Sequence, residues 1–285
     1  MTDTHIREIE DPVAKGAAAK PDKAEKKEDW RSFAWFCLKL LIVVLLFRSF
    51  AFTSFNIPSE SMMPRLLVGD YMFAKKWPYG YTRYSMPLDA DIIPGGRIFA
   101  RQPERGDIVI FAHPIDHSDY IKRVIGLPGD TIQMIDGVLH IDGIPVKMER
   151  IEDFVIPDAA DTGCRMERFR QQQADGSALC VYPQFRETLP NGVVHNILDF
   201  GNGPGDNTAP VVVPEDRLFM MGDNRDNSLD SRFPAQAGGA IGLVPQENLV
   251  AQAGFMYWST DGSAGWLLPW TWFSAARWSR IGRGI

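Results

Sequence analysis

Two side chains of this sequence could act together as a nucleophile and its base. Ser61 lies in the proline-bounded run IPSESMMP, residues 57–64. A serine hydroxyl attacks a carbonyl only when a neighbouring group takes its proton. Lys122 lies in the apolar run YIKRVI, residues 120–125. Strand alternation sets it on the face opposite Ile121 and Arg123. A lysine desolvated on such a face binds its proton less tightly, and the neutral amine can serve as a general base. A snorkelling lysine with its amine in water is the plainer alternative. His113 and His117 are rival bases, but no G-x-S-x-G elbow accompanies them. A third segment, GDNRDNSLDSRF at residues 222–233, offers Asp230 and Arg232 as an ion pair. It also offers the Ser228 hydroxyl to orient a nearby amine. Its oxygens raise calcium as an alternative, yet counting from Asp223 or Asp226 gives neither the Gly at position 6 nor the Glu at position 12 of that loop. His5, His113, His117, His140 and His195 form no zinc spacing with the three cysteines, so neither metal nor cofactor is expected.

Something must hold these residues, and the 285-residue chain divides into three regimes. A formal net charge of −6 speaks against a basic nucleic-acid binder, and 45% hydrophobic content against wholesale disorder. Residues 1–29 are polar, small and of mixed charge, which predicts a disordered tail. Residues 30–54 are apolar apart from Arg31, Lys39, Arg48 and a few small polar side chains. That length suits one membrane-spanning helix, with Lys39 and Arg48 snorkelling in opposite directions. A cleaved signal sequence fits less well, because no small-x-small site follows. Cys37 reads as an apolar filler within the span. Lys20, Lys23, Lys26, Lys27 and Arg31 precede the span, whereas Arg65 is the clear basic residue shortly after it. The positive-inside rule then keeps the tail in the cytoplasm and the rest outside.

The remaining chain reads as mainly β. Gly-Asp pairs at residues 69–70, 106–107, 129–130, 205–206 and 222–223 punctuate short apolar runs such as DIVIF. Asp136-Gly137 and Pro190-Asn191-Gly192 each predict a hairpin. Five of the eight tryptophans, Trp258, Trp266, Trp270, Trp272 and Trp278, crowd the C-terminal end beside Arg277, Arg280 and Arg283. That mixture favours a membrane–water interface over a tryptophan-rich core edge.

Taken in order, IPSESMMP, RGDIVIF, DYIKRVIGLPGD and MMGDNRDNSLDSR resemble the bacterial type I signal peptidases. The resemblance runs from Arg48 to about Val250, with a weaker echo in SRIG near the C-terminus. It implies a membrane-bound serine endopeptidase that removes signal peptides from exported preproteins after an A-x-A pattern. In that likeness Ser61 matches the nucleophile and Lys122 the general base. Ser59 matches an oxyanion-hole hydroxyl and Ser228 the serine that positions the amine. Asp230 and Arg232 match a supporting pair, and Tyr120 a residue packed near the lysine. Phe55, Ile57, Met62, Leu66, Ile110 and Ile121 match positions lining shallow apolar substrate pockets. Two departures stand beside the nucleophile: Glu60 between the two serines, and Arg65 where the family carries Thr or Ala. Several members begin with two spans, against one here.

The expected organisation is therefore a tail (1–29), one transmembrane helix (30–54), a catalytic β domain (55–130 and 215–285) and an inserted non-catalytic β region (131–214). The expected location is the bacterial inner membrane, single-pass, with the catalytic domain on the periplasmic face. The expected partners are exported preproteins and the lipid bilayer, with no nucleic acid. Cys164 and Cys180, in the stretch least like the family, either pair outside the cytoplasm or remain two free thiols. A self-cleaving or regulatory Ser–Lys protease, and a tethered peptide-binding module without catalysis, are the competing readings.

Overall fold

The structure, a computed structural model, describes residues 23–86, 96–158, 163–265 and 267–285. The chain divides into two compact units, Met1–Leu45 and Leu46–Ile285. It is mainly β with one long apolar helix near the N-terminus.

That helix runs Lys23–Phe50. Its stretch Trp30–Phe50 has a mean hydropathy of 2.1 over its most apolar part and is long enough to cross a bilayer. Trp35, Phe36, Leu40 and Leu45 are exposed, as lipid-facing side chains are. Two expected boundaries shift. Of the tail, residues 1–22 lie outside the described residues, while Lys23–Asp29 are already helical, in keeping with the strong helix formers AEKKE. The helix also stops four residues before the expected position 54. Phe52–Asn56 is a strand, registered antiparallel against Asp70–Lys75. Its Phe52, Thr53 and Phe55 are strand-favouring types that suit a partly buried edge, which hydropathy alone does not separate from helix.

The core of the second unit is a seven-stranded antiparallel sheet. In spatial order it holds Phe52–Asn56, Asp70–Lys75, Leu249–Ser259, Ile108–Ala112, Asp119–Gly126, Arg217–Met221 and Val244–Pro245. Ile108–Ala112 is buried along its whole length, which explains the unbroken apolar run of DIVIF. The long strand Leu249–Ser259 shifts register at several points. One shift spans Gly254, where an added Cβ would sit 2.6 Å from the Phe73 carbonyl oxygen.

Residues between Thr131 and Val212 build three smaller sheets. The hairpin Thr131–Ile135/Val138–Ile141 turns at Asp136 (φ 47°) and Gly137 (φ 77°), the paired left-handed conformation of a tight turn. Gln184–Thr188 and Val194–Leu198 form the second expected hairpin around residues 190–192. Cys164 and Cys180 are joined by a disulfide across a separation of 16 residues. In the chain-entropy model a loop of this size contributes about 3 kcal/mol. The double variant Cys164→Ser/Cys180→Ser should therefore melt about 6–12 °C lower than the wild type in a thermal scan. An unchanged melting temperature would show that the bond adds nothing to stability.

At the C-terminal end, Pro269–Ala275 forms a short helix. Leu267, Trp270, Phe273 and Trp278 are exposed there, while Trp258 meets Trp278 edge-on at 5.9 Å. Trp266 lies outside the described residues.

Candidate active site

Ser61 sits on the one-turn helix Glu60–Met62, between the first two strands of the large sheet. Met62 and Leu66 are fully buried and seat this turn in the apolar core. Behind it the buried Asp70 accepts the Leu67 N–H at 2.8 Å and pairs with Arg280 at 2.6 Å. Lys122 comes from the strand Asp119–Gly126 and is 4% exposed. Its ammonium donates to Ser61 Oγ at 2.6 Å and to the Ile121 carbonyl at 3.2 Å. Arg123, next along the strand, turns to the other face and grips Asp223 with two hydrogen bonds, 2.7 and 2.6 Å. It borders a separate cavity of about 640 Å³ that contains neither Ser61 nor Lys122.

Ser61 and Lys122 face a cleft of about 590 Å³, shared with Ser59, Tyr120, Ile121 and Ser228. Burial strips water from the Lys122 amine and takes its pKa down to about 8, although Asp230 and Asp223 pull the other way. Asp230 is fully buried, and Arg232 forks onto both its oxygens at 2.8 and 2.9 Å. Burial opposes its ionisation, but Arg232 wins and keeps the carboxyl below its usual range. The pair confers little net charge on the lysine while its carboxylate braces the loop through the Gly222 N–H at 3.0 Å.

Not every expected contact forms. Ser59 Oγ lies 3.4 Å from Ser61 Oγ, at the far limit of a hydrogen bond. Ser228 shares the cleft, but its hydroxyl is turned to the Asp230 carboxylate, and the Lys122 amine spends its bonds on Ser61 and Ile121. Tyr120 stands with its ring centre 6.0 Å from the Lys122 nitrogen and packs on His113. Ile57, Met62, Leu66, Ile110 and Ile121 gather in one buried cluster with Phe55 packed against it, and of these six Ile121 lines the cleft. His113 is no base for Ser61: it is fully buried, with Nδ1 accepting the Ile115 N–H and Nε2 on the Ala240 carbonyl. His117 instead meets the Tyr84 hydroxyl.

Glu60 and Arg65 have structural partners. Glu60 accepts from Asn227 Nδ2 at 2.6 Å, and its carbonyl accepts from Asn224 Nδ2 at 3.2 Å. Burial raises the Glu60 carboxyl above its ordinary value, partly offset by Arg165 and Asn227. Arg65 donates to the Gly284 carbonyl at 2.9 Å and so ties the serine turn to the C-terminal end. Gly222 and Asn224, to which the motif assigns no role, also shape the site. A Cβ at Gly222 would stand 2.4 Å from both the Ser61 carbonyl oxygen and Ser228 Oγ, so only glycine fits there. The Asn224 N–H donates to that same Ser61 carbonyl at 3.1 Å. The repeated Gly-Asp pairs disguised Gly222 as one more turn signal.

A serine hydroxyl touching a buried amine whose pKa is lowered to about 8, at an open cleft, can perform acyl transfer. Residues 30–258 match the family described as "Signal peptidase, peptidase S26". The chain is 39% identical over 245 residues to the signal peptidase I of Rickettsia conorii, covering 82% of this chain and 80% of that protein. With the signal peptidase I of Rickettsia prowazekii it shares 38% over 244 residues, covering 82% and 81%. A solved signal peptidase I from Enterococcus faecalis V583 overlaps 53% of this chain and 97% of its own, at 23% identity and a TM-score of 0.28.

Proposed function

Because the chain belongs to the S26 signal peptidase family, serine endopeptidases that remove signal peptides, we propose that it works through a Ser61–Lys122 dyad and cuts exported preproteins after small residues. The observation that carries this reading is the 2.6 Å contact between Ser61 Oγ and a fully buried amine whose pKa lies at about 8.

The neutral Lys122 amine takes the Ser61 proton as Oγ attacks the scissile carbonyl. The resulting oxyanion meets the Ser61 N–H and the Ser59 hydroxyl, which rotates away from its long contact with Ser61. Each such donor contributes about 3–4 kcal/mol to lowering the barrier. Lys122 then returns the proton to the leaving amine, an acyl-enzyme remains, and the same amine activates water to release it. Substrate approach reorients Ser228 toward the amine, while Tyr120 and the Asp230–Arg232 pair hold the lysine in place.

The preprotein lies extended along the cleft, so alternate side chains enter it. Ile121 at the cleft wall, backed by Phe55, Ile57, Met62, Leu66 and Ile110, leaves room for small side chains, hence A-x-A. The apolar helix anchors the enzyme in the inner membrane with the tail in the cytoplasm and the β unit on the periplasmic face. There the exposed Trp270, Phe273 and Trp278 rest in the lipid interface. The anchor converts the search for membrane-borne substrate into a local one.

A preprotein cleavage assay in detergent tests the specificity. Replacing the alanine before the cut with leucine should reduce kcat/KM by about 5–150-fold, since forcing extra methylenes into a packed site costs about 1–3 kcal/mol. Equal cleavage of both substrates would defeat the small-residue rule.

A further inference from the structure

The strand Gln184–Thr188 belongs to the inserted sheets, yet it carries a fully buried carboxylate aimed at the proposed catalytic loop. Glu187 receives both terminal nitrogens of Arg225, Nη1 at 2.9 Å and Nη2 at 2.5 Å. His195, its register partner on the neighbouring strand, places Nε2 3.2 Å from the same carboxylate. Arg225 is 3% exposed and opens the turn Arg225–Asn227 that leads to Ser228.

From Arg225 the contacts run to the turn that carries Ser61. Its carbonyl accepts Arg232 Nη2 at 2.5 Å, Arg232 forks onto Asp230, and Asp230 accepts the Gly222 N–H. One residue before Arg225, Asn224 binds the carbonyls of Ser61 and Glu60. Two residues after it, Asn227 binds the Glu60 carboxylate. A rotation of Arg225 would thus be felt on both sides of Ser61.

A buried ion pair is often no more stabilising than apolar side chains of equal volume. A bidentate fork does something apolar packing does not: it fixes the direction of the guanidinium. We infer that Glu187 is a positioning residue for the reaction proposed above, holding Arg225 so that the segment 222–232 keeps Ser228 and Asp230 in register with Ser61 and Lys122. This rests on the Ser61–Lys122 reading and assigns a role in catalysis to the inserted region.

The test uses the full-length enzyme in detergent and the variant Glu187→Gln, which preserves shape and removes the charge. We expect kcat to fall about 10- to 100-fold, as for a catalytic group displaced by about 1 Å, with KM within about threefold. Amide exchange should quicken in residues 222–232 and stay as in the wild type in the hairpin Thr131–Ile135/Val138–Ile141. Exchange that quickens equally in both places would mean general loosening and would overturn the inference. The double variant Glu187→Met/Arg225→Met removes both buried charges, so its folding does not suffer an unpaired ion. Its kcat should remain as low as that of the single variant, and recovery to wild type would reduce the pair to a stabilising contact. Ser61→Ala, run alongside, separates the two ideas. An active Ser61→Ala enzyme defeats the dyad itself, whereas an inert one beside a fully active Glu187→Gln defeats only the role of Glu187.

Discussion

Ser61→Ala should lower preprotein turnover by about 10⁴-fold or more, with KM nearly unchanged. Removing the nucleophile of a serine protease leaves only what the oxyanion donors and substrate binding supply, and measured losses of this kind reach about 10⁶-fold. Those donors survive in the variant, since the residue 61 N–H and the Ser59 hydroxyl are untouched. The hydroxyl makes its close contact with Lys122 and lies in a buried turn, so it adds little to substrate affinity. Folding should persist as well. The turn is seated by Met62 and Leu66, and its carbonyl by the Asn224 N–H. One lost hydrogen bond costs about 1 kcal/mol. The measurement is single-turnover cleavage by purified enzyme, with circular dichroism as the folding control. A folded Ser61→Ala enzyme that cleaves at the wild-type rate would remove Ser61 from the mechanism.

What the sequence could disclose depended on how local each cause is. The Asp136-Gly137 turn was legible because two adjacent residues must take positive φ and few residue types do so. The Ser61 and Lys122 segments were legible as candidates because each sets its hydroxyl or amine within a distinctive short run, and the structure brings the two to 2.6 Å. The end of the helix at Phe50 was not, since apolar side chains continue into Phe52–Asn56 and the partner strand that claims them lies at Asp70–Lys75. Likewise nothing local in Leu249–Ser259 announces that it lies between Asp70–Lys75 and Ile108–Ala112. Glu60 and Arg65 looked like foreign charges beside a nucleophile. Their partners, Asn227 and the Gly284 carbonyl, lie 167 and 219 residues away. Glu187 was invisible for the same reason, as an unremarked acid in QFRET whose meaning depends on Arg225, 38 residues on. Ser228 shows the converse: the resemblance turns its hydroxyl to the amine, and the structure turns it to the Asp230 carboxylate instead. A serine hydroxyl turns on one torsion, and sequence does not set that angle.

The pH dependence of kcat/KM should show an acid limb centred near 8, and Lys122→Met should abolish it together with about 10⁴-fold of the rate. The sign follows from the role. A general base works only when unprotonated, and burial holds the Lys122 amine at about 8 instead of the ordinary lysine value near 10.4. Below that pKa, activity should rise about tenfold per pH unit, and above it the curve should level. At pH 7 about a tenth of the enzyme carries the neutral amine, whereas at the ordinary value the share would be below about a thousandth. With Lys122 as the base, desolvation supplies a factor of about 200 in active enzyme before any chemistry occurs. The neighbouring charges do not supply it, because Asp230 and Asp223 favour the ammonium and Arg232 opposes them only in part. Replacing a lining residue that keeps water out should therefore push the limb upward: Ile121→Ser, which opens the strand beside the amine, should shift it toward 10. Activity still climbing through pH 10 in the wild type would mean an unperturbed lysine. A flat profile from pH 6 to 9 would mean that no group of this kind acts as base. The Lys122→Met enzyme distinguishes these outcomes from a limb set by substrate binding, since a binding limb would survive the substitution in whatever residual rate remains.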